Sequence, residues 1–386
     1  MATAAQTEAE RLAAAPREGY DRVVRLTQAV FGVPIAALNL LGAKTQYTVA
    51  AVGIPQQEIP VERSICRFAV QGDEILEIPD LREDERSRDL DIVVEPPRVR
   101  YYAGVPLKST SGQNVGVLCI LDVTPRQLGA TQREMLADLG AVVERELAVQ
   151  EEMLRAGEVQ RQLLPTQTPD VPGYELAGRV VQAREAGGDF FDWQVIENPD
   201  GPDRLQVVLG DVMGKGLSAS LLAAEVRAVL RGHSRYVDVG GTLGRATKTA
   251  QHDLEVNGRF VTMWVGRIDP ADGRLDYIDV GHGLAVLVTP DRVTRLAMDY
   301  MPFGTPVEQD WKQATVHMAP GDMLVVVSDG VFDVFGSVEA ATARIPDLLA
   351  QARTCTQIVD TIVDYASTHG TTDDVTALVV RRTEDG

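Results

Sequence analysis

The sequence predicts an α+β protein in which two lobes are joined by a long helix. Three observations point there. Residues 33–122 alternate short apolar runs with turn signals and flanking helical stretches. Residues 131–164 contain no proline and repeat apolar side chains at helical spacing. After Pro165, two blocks of strand-like runs surround paired amphipathic helices, the pattern of a two-sheet sandwich with helices outside.

In the first lobe, residues 8–30 read as a helical lead-in. Strands are expected at Val33–Leu41, Tyr47–Val52, Ile75–Pro79, Tyr101–Leu107 and Val115–Asp122, with a short helix around Glu62–Gln71. Gly42, Pro55, Pro96-Pro97 and Ser111-Gly112 punctuate them.

The helix that follows starts on a capping pattern, Thr131 with Glu134 three residues on. Leu136, Leu139, Val143 and Leu147 share one face. At 1.5 Å per residue the stretch is about 50 Å long. Two readings stand: a helix packed on its own lobe, or a linker that pairs with a second copy as a coiled coil. Gly140 and Gly157 each weaken it by about 1 kcal/mol relative to alanine.

In the second lobe, strands are expected at Tyr174–Ala183, Phe190–Ile196, Leu205–Asp211, Phe260–Asp269, Leu275–Val280, Ala285–Thr289, Met323–Ser328 and Val375–Arg381. Helices are expected at Ala219–Arg231, Thr242–Val256, Val338–Ala352 and Thr356–Thr368. The domain boundaries predicted on this basis are 1–127, 128–165 and 166–386.

Composition narrows the function classes. The 386 residues carry a formal net charge of −19, which disfavours nucleic acid and anionic membranes as partners. No run of apolar residues is long enough for a membrane span, and the N-terminus lacks a signal-peptide pattern, so a cytoplasmic location is expected. Cys66, Cys119 and Cys355 lie far apart, without zinc-site spacing. Cys66 reads as a small buried side chain, with chromophore attachment or oxidation sensing as the alternative. Cys119 reads as part of a core strand. All five histidines follow residue 230, so the first lobe has no proximal histidine for haem.

Four aspartates stand where strands meet turns. Asp189 follows Gly187-Gly188, Asp211 ends an apolar run, Asp329 sits between Ser328 and Gly330, and Asp373 lies in Thr371-Thr372-Asp373-Asp374 before a strand. Aspartates often cap turns. Four strand-end carboxylates brought together would instead repel one another unless protons or cations intervene. Hard oxygen donors select Mg²⁺ or Mn²⁺. Two such ions about 3.5–4 Å apart lower the pKa of a water and clamp a phosphoryl group, with no side-chain nucleophile required.

These motifs resemble the SpoIIE/RsbU branch of the PPM family of metal-dependent protein phosphatases over residues 158–386. The matching segments are Glu158-Val159-Gln160-Arg161-Gln162-Leu163-Leu164-Pro165, Gly187-Gly188-Asp189-Phe190-Phe191-Asp192, Gly210-Asp211-Val212-Met213-Gly214-Lys215-Gly216, Ser328-Asp329-Gly330 and Asp373-Asp374-Val375-Thr376. The resemblance implies an αββα sandwich and two Mn²⁺ or Mg²⁺ ions. It implies that Asp211 bridges them and that the Val212 carbonyl binds one. Asp329 and Asp373 complete the other metal, Asp189 serves the opposite metal, and Asp374 supports the shell. Asp211, Asp329 and Asp373 are the expected catalytic residues. Animal-type members carry histidine where this chain has Met213, so the proton donor is left open among Lys215, a metal-bound water and His282. Arg184 has the spacing of the phosphate-binding arginine of animal-type members, and a surface arginine is the other reading. The resemblance also implies that movement of the helix after Asp211 alters metal occupancy.

Residues 20–125 resemble a GAF domain, through Phe31-Gly32-Val33-Pro34-Ile35-Ala36, Ser64-Ile65-Cys66-Arg67-Phe68, Tyr101-Tyr102-Ala103-Gly104-Val105-Pro106-Leu107 and Gly116-Val117-Leu118-Cys119-Ile120-Leu121-Asp122. The NKxxF pattern of cyclic-nucleotide binders is absent. Together the resemblances imply a protein serine/threonine phosphatase regulated by an unknown GAF ligand or activator. The implied substrate is a phosphorylated STAS-domain anti-anti-sigma factor in a bacterial stress or sigma-factor pathway, and the linker implies a homodimer. A catalytically inactive phosphatase-fold sensor that binds a partner is the alternative.

Overall fold

A computed structural model describes residues 4–14, 19–198, 201–235, 238–334, 340, 344 and 353–384. The chain divides into two compact units, Met1–Glu152 and Met153–Gly386. No helix among the described residues is long and apolar enough to cross a membrane.

Unit 1 begins with helices α1 (Ala4–Ala14) and α2 (Tyr20–Phe31), which make up the mostly helical lead-in. A six-stranded antiparallel sheet follows, in the order β3-β2-β1-β6-β5-β4. Its strands are β1 (Ile35–Leu41), β2 (Thr45–Val52), β3 (Glu58–Pro60), β4 (Leu76–Ile78), β5 (Tyr101–Lys108) and β6 (Asn114–Asp122). Short helices α3 (Cys66–Ala69) and α4 (Asp91–Val94) lie between β3 and β5 in the chain. The central strands β1 and β6 are apolar on both faces because each face is covered, and β1 is buried along its whole length. The edge strand β3 spans three residues, too few for a periodic signal.

Helix α5 (Ala130–Leu163) runs through the division between the units. Leu136, Val143 and Leu147 are fully buried. Gly140 lies on the same face, where a Cβ would stand 2.9 Å from a methyl of Val105 on β5. The glycine therefore trades helix propensity for close packing inside unit 1. Met135, Val142 and Val149, seven residues apart, are exposed instead.

Unit 2 is built from two five-stranded antiparallel sheets. Strands β7 to β16 are β7 (Tyr174–Val181), β8 (Asp189–Ile196), β9 (Arg204–Val212), β10 (Val261–Asp269), β11 (Arg274–Val280), β12 (Ala285–Val288), β13 (Val293–Arg295), β14 (Ala314–His317), β15 (Met323–Val327) and β16 (Val375–Arg382). One sheet has the order β14-β11-β10-β9-β8, the other β13-β12-β15-β16-β7. Three apolar cores make four layers. Phe191, Trp193, Leu209, Trp264, Val326 and Leu378 fill the space between the sheets. Phe190, Val208 and Met263 meet α6 (Leu217–Ser234) and α7 (Val239–Val256) on one outer face. Val325, Val327 and Val379 meet α9 (Cys355–Thr368) on the other. Helix α8 (Asp329–Phe332) follows β15 directly. Strands β13 and β14 escaped the sequence reading because they are short, half-exposed edges. The helix expected over Val338–Ala352 lies, apart from Ala340 and Arg344, outside the described residues.

Candidate metal-binding active site

Strand alternation places the acidic residues. Side chains two apart share a face. On β9, Leu205, Val207 and Leu209 point into the core between the sheets, and Asp211 continues that row. On β8, Trp193 and Phe191 point the same way, followed by Asp189. On β16, Val380 and Leu378 lead to Thr376, and on the neighbouring strand Leu324 and Val326 lead to Ser328. At one end of the sandwich the inter-sheet core thus turns from apolar to acidic.

The side chains interlock there. Asp189 and Asp211 are paired in register on adjacent strands. Asp189 is 1% exposed, and Thr376 Oγ1 donates to its Oδ2 at 2.6 Å. Ser328 Oγ accepts from Thr376 N at 2.8 Å and donates to the Asp374 carbonyl at 3.3 Å, fixing the turn that carries Asp329 against the one that carries Asp373. Asp374 Oδ1 accepts from Ala183 N at 2.8 Å and its Oδ2 from Asp189 N at 3.4 Å, so that carboxylate is occupied with backbone. Lys215 Nζ stands 3.0 Å from Asp373 Oδ1 and donates to the Thr372 carbonyl at 2.9 Å. The Val212 carbonyl borders the same space. A Cβ on Gly188 would sit 2.4 Å from Val212 O and 3.1 Å from Asp211 Oδ1, so only glycine lets the two strands approach there.

The charges are costly in this setting. Burial, then the charges of Asp211 and Asp374, push the Asp189 carboxyl well above its ordinary range. Burial, then Asp329, Asp373 and Asp374, push Asp211 up to about 7. Burial, then Asp373 and Asp333, raise Asp329. Asp189 thus feels the charge of Asp211, and Asp211 and Asp329 that of Asp373, which links the four aspartates singled out by sequence. Among the described residues no group of three or more histidine, cysteine, aspartate or glutamate side chains is already arranged to hold a metal ion. The donor set suits a hard divalent cation: all donors are oxygens, and a cation offsets the repulsion that raises these pKa values.

Sequence reasoning missed several supports. Gln160 is buried on the last turns of α5, and it donates from Nε2 to Gly187 O at 2.7 Å and accepts from Gly187 N at 3.1 Å. Gln182 Nε2 adds a bond to the same Oε1 at 2.6 Å. Gly157, one turn earlier, faces the Glu185 carbonyl so closely that a Cβ would lie 1.6 Å from it. The helix end thus clamps the loop that delivers Asp189. Its only sequence signal was the run Glu158–Pro165. Ser328 and Thr376 flanked the aspartate motifs without standing out.

The other candidates separate. Arg184 is exposed. His282 is buried, its ring Nε2 has no partner, and burial lowers its pKa to about 4, so it is neutral. Its loop is held by Asp279, whose Oδ1 accepts from His282 N at 2.7 Å.

Residues 201–383 match the family model described as Stage II sporulation protein E (SpoIIE). The matched segment lies within unit 2. Relatives extend the likeness. Over 247 residues the chain is 24% identical to Phosphoserine phosphatase RsbU of Bacillus subtilis, covering 61% of this chain and 71% of that protein. Over 138 residues it is 31% identical to Cyclic di-GMP phosphodiesterase PA2567 of Pseudomonas aeruginosa, covering 36% of this chain and 21% of that protein. The chain therefore spans well under two thirds of the phosphodiesterase's length. Among solved structures, the SiaA-PP2C domain of Pseudomonas aeruginosa superposes with a TM-score of 0.50 at 21% identity, covering 60% of this chain and 96% of that one, a likeness of fold. The segment matched by the family model contains Asp211, Asp329 and Asp373, while Asp189 and the α5 clamp precede it.

Proposed function

We propose that unit 2 is a SpoIIE-type domain, a divalent-metal-dependent phosphatase that hydrolyses phosphoserine or phosphothreonine on a protein. The observation that carries this reading is the run of mutually repelling carboxylates at one end of the inter-sheet core. Such a cluster makes physical sense as a cation site and is a liability otherwise. Asp189, Asp211, the Val212 carbonyl, Asp329 and Asp373 would hold two Mn²⁺ or Mg²⁺ ions. When bound, the ions supply Lewis acidity to phosphoryl oxygens and lower the pKa of water. Thr376 orients Asp189 by donating to it, and Asp374 fixes the approach of β8 through the Ala183 and Asp189 amides. Lys215 offsets the charge of Asp373.

Unit 1 is read as a GAF-type sensor, on its central antiparallel sheet with flanking helices. The substrate is read as a phosphorylated STAS-domain anti-anti-sigma factor, a reading supported by likeness to a phosphoserine phosphatase. A homodimer through α5 is supported by its exposed apolar residues, Met135, Val142 and Val149, at the seven-residue spacing of a coiled-coil seam. Light scattering of the full chain tests that part, and a monomer at high concentration refutes it.

The activity is tested by Mn²⁺-dependent phosphate release from a small phosphoester and from a phosphoprotein. Asp211→Asn is expected to lose about 10³-fold or more, the scale of removing a group that stabilises transition-state charge. No metal-dependent release from any phosphoprotein would favour the alternative, an inactive phosphatase-fold sensor.

A further inference from the structure

Unit 1 encloses a cavity of about 550 Å³ between the sheet, α3 and α4. Its wall holds two of the chain's three cysteines, Cys66 at the start of α3 and Cys119 in the middle of β6. The exposed ion pair Arg63–Asp91 also lines it, so the cavity reaches the surface.

The two sulfurs are adjacent. Asn39 Nδ2 points at both, 3.5 Å from Cys66 Sγ and 3.4 Å from Cys119 Sγ. Tyr102 OH donates to Cys66 Sγ at 3.5 Å. The environment treats the two unequally. Bonding from Cys119 outweighs the opposing effect of burial and, with further bonds from Tyr102, Ser64 and Asn39, lowers the Cys66 thiol. The bond to Cys66 and burial push Cys119 well up. A thiol that ionises more readily, beside one that holds its proton, is the arrangement of an attacking and a resolving cysteine. Cys355 gives the contrast: buried in unit 2 and beside Glu175, its thiol is pushed up to about 12.

We propose that Cys66 and Cys119 form an oxidisable dithiol in this cavity, which a hydroperoxide converts into an intramolecular disulfide. The Cys66 thiolate attacks one oxygen of the hydroperoxide. The O–O bond breaks, Cys66 becomes a sulfenic acid, and the remaining oxygen leaves as an alcohol or water after taking up a proton. The Cys119 sulfur then attacks the Cys66 sulfur, the S–O bond breaks, and the hydroxyl leaves as water with the Cys119 proton. Two thiols lose two electrons and the peroxide gains them. The bond would join α3 to the central strand β6 across the cavity wall. Asn39 donates to both sulfurs from one amide and so holds them on the same side of the sheet.

The test uses the full chain with hydrogen peroxide and with cumene hydroperoxide, read by intact mass and by peptide mapping without reduction. The expected result is loss of two hydrogens in mass, a cross-linked pair of peptides containing Cys66 and Cys119, and a free Cys355. Cys66 is expected to react at least about 10-fold faster than Cys355, following thiolate fraction. In Cys119→Ser, Cys66 should stop at a sulfenic acid that dimedone traps; in Cys66→Ser, no cross-link should form. If a serine variant fails to fold, the cross-link in the unmodified chain still decides. Three free thiols after treatment would overturn the proposal. So would a cross-link through Cys355, or over-oxidation of Cys66 without a cross-link.

Discussion

Both units let polar side chains into the middle of a sheet, and they do it in opposite ways. In unit 1, Asn39 Oδ1 accepts from Thr48 Oγ1 at 2.8 Å and Gln46 Nε2 at 3.1 Å, Ser64 bonds Gln46, and the Asn39 amide serves the two thiols. These groups are buried, uncharged and partnered by one another, so the cluster is stable as it stands. In unit 2 the intruding groups are carboxylates, and their main effect on one another is repulsion. The difference teaches what to ask of a buried polar cluster. A satisfied neutral network specifies a shape, while a cluster of like charges calls for a counter-charge.

That contrast breaks if the two clusters respond alike to mutation. Asn39→Ala strands the Gln46 and Thr48 donors and should destabilise unit 1 by about 2–3 kcal/mol. Calorimetry would show the loss, and Mn²⁺ titration of the same variant should show unchanged affinity. Gly157→Ala tests the clamp. A Cβ 1.6 Å from the Glu185 carbonyl forces the helix end and the Asp189 loop apart. Mn²⁺ affinity by isothermal calorimetry should fall about 10–100-fold, the usual scale for groups that orient ligands. Gly140→Ala meets only the Val105 methyls and should leave affinity unchanged.

Asp211→Asn sharpens the charged side of the comparison. The folded pKa of Asp211 is raised to about 7, so between its unfolded value of 3.8 and 7 the unfolded chain releases the proton first. Ionisation therefore costs stability as pH rises through that window. With EDTA at pH 8, the variant should be more stable than the parent by about 1–2 kcal/mol, with the gain shrinking as pH falls from 7 and vanishing below the unfolded value of 3.8. Saturating Mn²⁺ should reverse the order. A gain of the same size below that value would mean that the carboxylate's charge is not the cause.

Much of this was readable along the chain. The strands of unit 2 follow β-branched runs bounded by turns, and the four aspartates announced themselves by standing where strands meet turns. Helix α5 was legible from its periodicity, but its two glycines looked like defects. Only the fold shows that Gly140 lies against β5 and Gly157 against the Glu185 carbonyl. The same holds for Ser328 and Thr376, ordinary residues until two sheets set them against Asp189 and Asp374.

The sequence by itself determined element types, the helix and the supply of carboxylates at strand ends, because period and turn chemistry are local. Tertiary structure alone decided which carboxylates repel, which loop Gln160 holds and that Cys66 meets Cys119. Those outcomes depend on how distant strands pair and how sheets stack, and a charge or a thiol acquires its chemistry from neighbours that chain order does not list.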